Sequence, residues 1–234
     1  VGDYEREVLP HLDALFLKNN IQIVVGGSGL YVDAILKGFD TFPDVSENIK
    51  QEIETNYAEF GIEYLQKQLE KLDVTYFNHL KNENPQTLAN QQRMKRFVGV
   101  SMSSGLPYSS FLNNNTSVRN FTPILIGLEA DREEMYARIN FRVDLMIKAG
   151  LLNEVEGLSN YKTLNALQTV GYRENFSHYN NEFNLYFAIE EIKKNTRRFA
   201  KRQITWFKRN EKTKWFHYKT DENTILNYIK SQLK

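Results

Sequence analysis

The spacing of apolar residues changes period several times along the chain, and each change marks a predicted element. Val8, Leu12, Leu15 and Phe16 recur at helical spacing and predict a helix that follows Val1-Gly2-Asp3-Tyr4 and runs to about Lys18. Past Asn19-Asn20 the pattern becomes Ile21-Gln22-Ile23-Val24-Val25, where four β-branched residues in five positions predict a short buried strand. Gly26-Gly27-Ser28-Gly29 ends it, and Leu30 to Lys37 predicts the next helix. Helix, strand, glycine bend and helix in that order is α/β organisation with a parallel sheet.

From Phe39 to Asn115 the period is helical almost throughout. Asp44 and Glu47 have capping-box spacing, and Val45, Ile49, Ile53, Tyr57 and Phe60 share one helical face. Gly61 interrupts, Ile62 to Leu72 and Tyr76 to Leu80 are further helical pieces, and Asn84-Pro85 opens a helix that ends near Gly105-Leu106-Pro107. Asn113-Asn114-Asn115 forms a polar tip. Residues 1–38 and 116–234 are therefore expected to belong to an α/β core, with 39–115 as a helical insertion.

The core pattern resumes at Pro123 to Leu128, a predicted buried strand. Asp131 with Glu134 is expected to cap a helix whose apolar stripe is Met135, Ile139, Val143 and Met146 and whose stop is Gly150. Arg138 and Arg142 lie one turn apart beside that stripe. They either point into one cleft or belong to a solvated ladder of Glu134 to Arg138 and Asp144 to Lys148. Gln168 to Arg173 is a predicted loop, Asn184 to Lys208 a long helix, Trp215 to Tyr218 a strand and Thr224 to Leu233 a last helix.

Composition adds little until the distribution of charge is considered. With 234 residues the chain can bury a substantial core, and its net charge is +1. The absence of cysteine excludes thiolate catalysis and disulfides and agrees with a cytoplasmic location. No apolar run approaches a membrane span. Yet residues 193–209 hold no acidic side chain. On a helical wheel Lys194, Arg197, Arg198, Lys201, Arg202, Lys208 and Arg209 fall on one side, with Ile192, Phe199, Trp206 and Phe207 opposite. Such a face suits phosphates, while a solvated basic helix and a membrane-surface helix are the competing readings. The glycine bend at Gly27-Ser28 likewise offers free backbone N–H groups to an anion, or is a plain strand-to-helix turn. It is not a Walker A loop, because no Lys-Ser or Lys-Thr follows the glycines. His11, His79, His178 and His217 are scattered without metal-ligand spacing.

Five segments, in order, resemble the tRNA dimethylallyltransferases. Val25-Gly26-Gly27-Ser28-Gly29-Leu30-Tyr31 is similar to that family's Val-Gly-Gly-Thr-Gly-Leu-Tyr, with Ser28 keeping the hydroxyl. Gln92-Arg93-Met94-Lys95-Arg96 resembles its Gln-Arg-x-x-Arg helix, and Arg138 through Arg142 to Val155 its arginine-rich helix ending in Gly-Leu and Glu-Val. Val170-Gly171-Tyr172-Arg173-Glu174 matches its Gly-Tyr loop, and Ala200-Lys201-Arg202-Gln203-Ile204-Thr205-Trp206 its Ala-Lys-Arg-Gln-Ile-Thr-Trp signature. Departures follow Arg96, where Phe97-Val98-Gly99-Val100 replaces Ala-Leu-Glu-Val, and precede Gln91, where the chain is several residues shorter.

The resemblance implies a P-loop NTPase-like parallel sheet core, incomplete at its N-terminus, with the helical insertion binding tRNA. It implies transfer of a dimethylallyl group from dimethylallyl diphosphate to N6 of the adenine 3′ of the anticodon, in tRNAs that read codons starting with U. It places Ser28 and Arg142 at the catalytic centre, and Gly27, Ser28, Arg138 and Arg142 on the diphosphate. The anticodon stem-loop is implied to meet Lys50, Gln92, Arg93, Met94, Lys95, Arg96, Gln168, Thr169, Val170, Gly171, Tyr172, Arg173, Lys201, Arg202, Gln203, Ile204, Thr205, Trp206, Phe207 and Lys208. Mg²⁺ is expected mainly through the diphosphate and the P-loop segment, which would also carry the general base. These residues alone are accordingly expected to be inactive and monomeric. An adenylate isopentenyltransferase acting on free nucleotides, and a non-catalytic RNA-binding module, are the alternatives.

Overall fold

The computed structural model describes residues 2–113 and 118–233. The polar tip at 114–115 and the expected boundary at 115/116 lie outside them. In chain order the elements are α1 (Gly2–Phe16), α2 (Gly29–Leu36), α3 (Glu47–Leu72), α4 (Val74–Glu83), α5 (Gln91–Ser104), β1 (Ile126–Glu129), α6 (Arg132–Lys148), α7 (Leu151–Gly157), α8 (Tyr172–Tyr179), α9 (Leu185–Phe207), β2 (Lys214–His217) and α10 (Glu222–Gln232). The result is a mixed α/β protein, mostly helical, with a small parallel sheet. Residues 1–22 with 33–120 form one compact unit, and 23–32 with 121–234 form the other.

In the first unit α3, α4 and α5 pack around Ile53, Leu65, Leu69, Phe77, Leu80, Met94, Phe97, Val98 and Val100. The Phe97-Val98 and Val100 departures from the family pattern are thus core residues. Gly61 kinks α3 at φ +66°, a backbone conformation that side chains with a Cβ rarely adopt. The expected Asp44/Glu47 box does not form: Ser46 is the N-cap, and its side chain makes no capping bond. Phe60, expected on the packed face, is exposed one residue before the kink. Asn84-Pro85 opens only a 3-10 turn, and a separate helix follows in which Asn90 accepts from Arg93 N at 3.1 Å.

Asp73 joins α3 to α4 and is buried. One carboxylate oxygen accepts from Tyr76 N at 2.9 Å and the other from Ser109 N at 2.7 Å, so both are satisfied. Asp73→Ala removes a cap and orphans two N–H donors. It is expected to cost about 1–3 kcal/mol, checked by urea unfolding, with an unchanged midpoint refuting the cap. Arg119 braces the same unit: its guanidinium donates to Ala34 O at 2.7 Å and Ile35 O at 2.8 Å, and it pairs with Glu5 at 2.8 Å. Ile35 O at the end of α2 thereby gains a donor, and Ala34 O a second one beside Gly38 N at 3.1 Å.

In the second unit β1 and β2 pair in parallel, Ile126 opposite Lys214 and Glu129 opposite His217. Helices α6 to α9 supply the crossover that parallel strands require. Asn184, near which the long helix was expected to begin, caps α9, accepting from Phe187 N at 2.8 Å. Helices α6 and α9 lie together, tied by Asp144 to Lys193 at 2.9 Å and by Arg197 to Asn140 at 2.6 Å. Val143 and Ile192 are buried on them. Gly150, at φ +99°, separates α6 from α7 as expected.

The expected strand Ile21 to Val25 is a correction. Among the described residues it pairs with no strand, and Ile23 and Val25 are 86% and 90% exposed. β-branched residues favour a strand only where a neighbouring ladder satisfies their backbone groups and a packed face covers them. This segment has neither here. The second expected strand is shorter than its apolar run, since only Ile126 to Glu129 pair.

Candidate functional site

The glycine bend and the C-terminal turns of α9 meet within the second unit. Gln203 and Trp206 are three residues apart on one face of α9. Gln203 Nε2 donates to Gly27 O at 2.8 Å. The indole of Trp206 lies so close to Gly29 that a Cβ there would sit 2.2 Å from Cδ1. Between these two fastened glycines Ser28 is exposed, and its carbonyl accepts the first bond of α2, from Val32 N at 3.1 Å. The N–H groups that open α2 face away from that ladder, as they must at a helix start.

Beside the bend, α9 carries its charge in two ways. Arg198, Lys201 and Arg202 are exposed, and Phe199, expected on the packed side, is itself 49% exposed with the Arg202 guanidinium 5.7 Å from its ring centre. The remaining basic residues are engaged internally. Arg197 bonds Asn140 and lies over Tyr136, Lys194 pairs with Glu191, and Lys208 pairs with Glu129 at 3.1 Å. Arg209 covers the Trp206 ring at 3.8 Å.

On α6 the solvated ladder is absent. Glu134 pairs with Lys219 at 2.5 Å and accepts from the Tyr218 hydroxyl, while Asp144 pairs with Lys193. These bonds, Lys219 first and Tyr218 second, hold Glu134 below the ordinary carboxylate range; the same carboxylate raises Lys219. Glu134 therefore does not cap α6, which its side chain was expected to do, and the Asp131 side chain makes no capping bond either. Arg138 is exposed over the Tyr218 ring at 4.5 Å. Arg142 is exposed and has no hydrogen-bond or ion-pair partner among the described residues.

The loop from Gln168 to Arg173 is anchored by groups that its sequence alone did not single out. Gly171 is buried at φ +97°, its N–H donating to Glu174 Oε2 at 2.8 Å and its C=O accepting from Asn175 Nδ2 at 2.6 Å. The buried Glu174 also accepts from Asn195 of α9 at 2.7 Å, which ties the loop to the basic helix. A glutamate three residues after a helix-opening glycine is a capping pattern that could have revealed it. Tyr172 donates to Glu154, which raises the phenol above its ordinary value, and Arg173 is exposed. Gln168 bonds Lys162 O at 2.5 Å, Thr169 is exposed and its carbonyl accepts from Arg173 N, and Val170 is half-buried. An open cleft of about 280 Å³ beside this loop is lined by Arg173, Glu174, Ser177, Phe183, Glu191 and Asn195.

In the first unit Gln92, Arg93 and Arg96 are exposed on α5, and Arg96 covers the Phe42 ring at 4.9 Å. Lys95 is turned inward, paired with Glu54 at 2.5 Å and over Tyr57 at 4.2 Å. Met94 is 0% exposed in the core, where it cannot reach a nucleic acid. Lys50 is exposed and pairs with Glu47 at 3.1 Å. On α9 Ile204, Trp206 and Phe207 are half-buried, the exposed Thr205 donates its hydroxyl to Lys201 O at 2.9 Å, and Lys201 and Arg202 point outward with Arg198.

Among the described residues, one group has three candidate metal ligands together, Asp131, Glu134 and His217, within 4.8 Å of one another. It does not fit Mg²⁺. The Lys219 ammonium already neutralises Glu134, and an imidazole is a poor ligand for so hard a cation.

A glycine bend held against a helix that carries Arg198, Lys201 and Arg202 outward is chemistry suited to phosphate groups. The comparisons with known proteins narrow that reading. The IPP transferase family profile matches residues 1–210. A tRNA dimethylallyltransferase of Flavobacterium johnsoniae is 62% identical over 234 residues, 100% of this chain and 76% of that protein. The tRNA dimethylallyltransferase 1 of Bacteroides thetaiotaomicron is 41% identical over 231 residues, 99% of this chain and 73% of that one. The crystal structure of the full-length tRNA isopentenylpyrophosphate transferase of Bacillus halodurans superposes with a TM-score of 0.61 at 27% identity, covering 99% of this chain and 71% of that structure. The chain belongs to the IPP transferase family.

Proposed function

We propose that the protein transfers a dimethylallyl group from dimethylallyl diphosphate to N6 of the adenine 3′ of the anticodon in tRNAs reading U-starting codons, releasing diphosphate. The observation that carries this reading is the glycine bend fastened to α9 by Gln203 and Trp206, next to the outward Arg198, Lys201 and Arg202. N6 of adenine is a weak nucleophile because its lone pair is delocalised into the ring. Transfer therefore depends on alignment, on removal of a proton and on stabilising charge as diphosphate leaves.

In this reading Gly27 and Ser28 hold the diphosphate through backbone N–H and hydroxyl groups. Arg142 adds a bidentate fork whose free state suits it to phosphate oxygens, with Arg138 beside it. Arg198, Lys201, Arg202, Tyr172 and Arg173 face the anticodon stem-loop, and residues 39–115 bind it through Lys50, Gln92, Arg93 and Arg96. The adenine leaves its stack to react. The fold is read as a P-loop-type core. Mg²⁺ would accompany the diphosphate. A cytoplasmic monomer is the corresponding assembly; among the described residues no helix is long and apolar enough to cross a membrane.

Two substitutions in the complete protein test the division of labour. Arg142→Lys keeps the charge but loses the fork, and is expected to lower kcat by about tenfold or more with tRNA affinity within about twofold. Arg202→Ala is expected to weaken tRNA binding with kcat little changed. It should also flatten the salt dependence of binding by about 0.7–0.9 for each phosphate that Arg202 neutralises. The reverse pattern overturns the assignment. Mass spectrometry of tRNA nucleosides from cells lacking the gene decides between this enzyme and a mere RNA-binding module: prenylated adenosine disappears only if it is the enzyme.

A further inference from the structure

We propose that Gln203 is a positioning residue for diphosphate binding, not a tRNA contact. The proposal rests on the reading of Gly27 and Ser28 as the diphosphate site. Gln203 lies within the basic stretch of α9, yet its side chain does not join the outward cations: Nε2 is 2.8 Å from Gly27 O. The partner is a carbonyl, so only the amide nitrogen can face it, and the orientation of the amide is fixed by its neighbour.

The consequence follows from peptide geometry. In a planar trans peptide the C=O and the N–H point in opposite directions. Holding Gly27 C=O toward α9 therefore turns Ser28 N–H away from α9, to the open side of the bend. There it has no backbone acceptor among the described residues. Trp206 fixes the other end of the same tripeptide by its close approach to Gly29. Together they convert a glycine-rich segment with many accessible backbone states into one that presents its donors before the ligand arrives. Gly27 must lack a side chain for this, since a Cβ would lie 2.6 Å from Gln203 Nε2.

The experiment is steady-state kinetics and tRNA binding on the complete protein with Gln203→Met, Gln203→Glu and Gln203→Lys. Methionine matches the length of glutamine and cannot donate, and glutamate at neutral pH cannot donate either. Lysine restores a donor at similar reach. The expected result is a KM for dimethylallyl diphosphate raised about tenfold in the Met and Glu variants, the size of one broken hydrogen bond. The Lys variant should lie within about threefold of the parent, and tRNA dissociation constants within about twofold throughout. Weaker tRNA binding with unchanged KM, unchanged kinetics, or failure of lysine to restore KM overturns the proposal. If Gln203→Met does not fold, Gln203→Glu reads the same donor loss. Arg142→Lys run in parallel separates the two ideas. Without an effect at Arg142 the site reading itself fails, whereas an effect there with none at Gln203 removes only the brace.

Discussion

Gly29→Ala is expected to lower kcat/KM by about tenfold to a hundredfold, although alanine is the better helix former. Gly29 opens α2, where propensity alone would favour alanine by about 1 kcal/mol. The tertiary setting reverses that sign. The added methyl would meet the Trp206 ring at 2.2–2.6 Å, inside any normal contact. The indole has little room to retreat, because Arg209 covers it at 3.8 Å. Overpacking of this kind costs about 1–3 kcal/mol, and the bend carrying Ser28 is what must give way. Gly26 supplies the control, since a Cβ there meets nothing within 4 Å. Gly27→Ala falls between, as the group it meets is the mobile end of Gln203. Kinetics on the three alanine variants should rank them Gly26, Gly27, Gly29 in rising damage. Equal losses at Gly26 and Gly29 would mean that the approach of Trp206 does not shape the site.

Met94→Ala is expected to destabilise the first unit by about 2–5 kcal/mol, the cost of a cavity in a packed core. The motif resemblance places Met94 among RNA contacts, but the side chain is 0% exposed and belongs to the cluster of Leu65, Leu69 and Phe97. Its neighbour Gln92 is exposed, and truncating it should move stability by no more than about 0.5 kcal/mol. Urea unfolding measures the contrast, and tRNA binding by folded Met94→Ala should match the parent. Weakened tRNA binding at unchanged stability would return Met94 to the interface.

The same contrast runs through α5 and α9. A basic motif in sequence does not say which cations are free. Lys95 and Arg96 share one motif, yet Lys95 is held by Glu54 and Tyr57 while Arg96 stays at the surface. In α9 the wheel assigned Arg197 outward and Phe199 inward, and the packing of α6 exchanges them. Asn140 and Tyr136 draw Arg197 in, and Phe199 is left among the cations.

What the sequence determined by itself is whatever depends on short-range chemistry. Helical periodicity and local stops set α1, α2, α4, α9 and α10 to within a few residues. Gly61, Gly105 and Gly150 mark breaks because only they tolerate the positive φ those points adopt. The long helix expected from near Asn184 does begin there, and the Asn184 side chain caps it. Five motifs in order carried the family. Tertiary structure alone decided the pairings that join residues far apart. Gln203 reaches a carbonyl 176 positions away, Glu174 supports Gly171 while binding Asn195, and Glu134 leaves its expected cap for Lys219 and Tyr218. The β-branched run Ile21 to Val25 shows why. Its residue preferences are local, but a strand exists only when a second strand meets its backbone groups, and no property of those five residues can supply one.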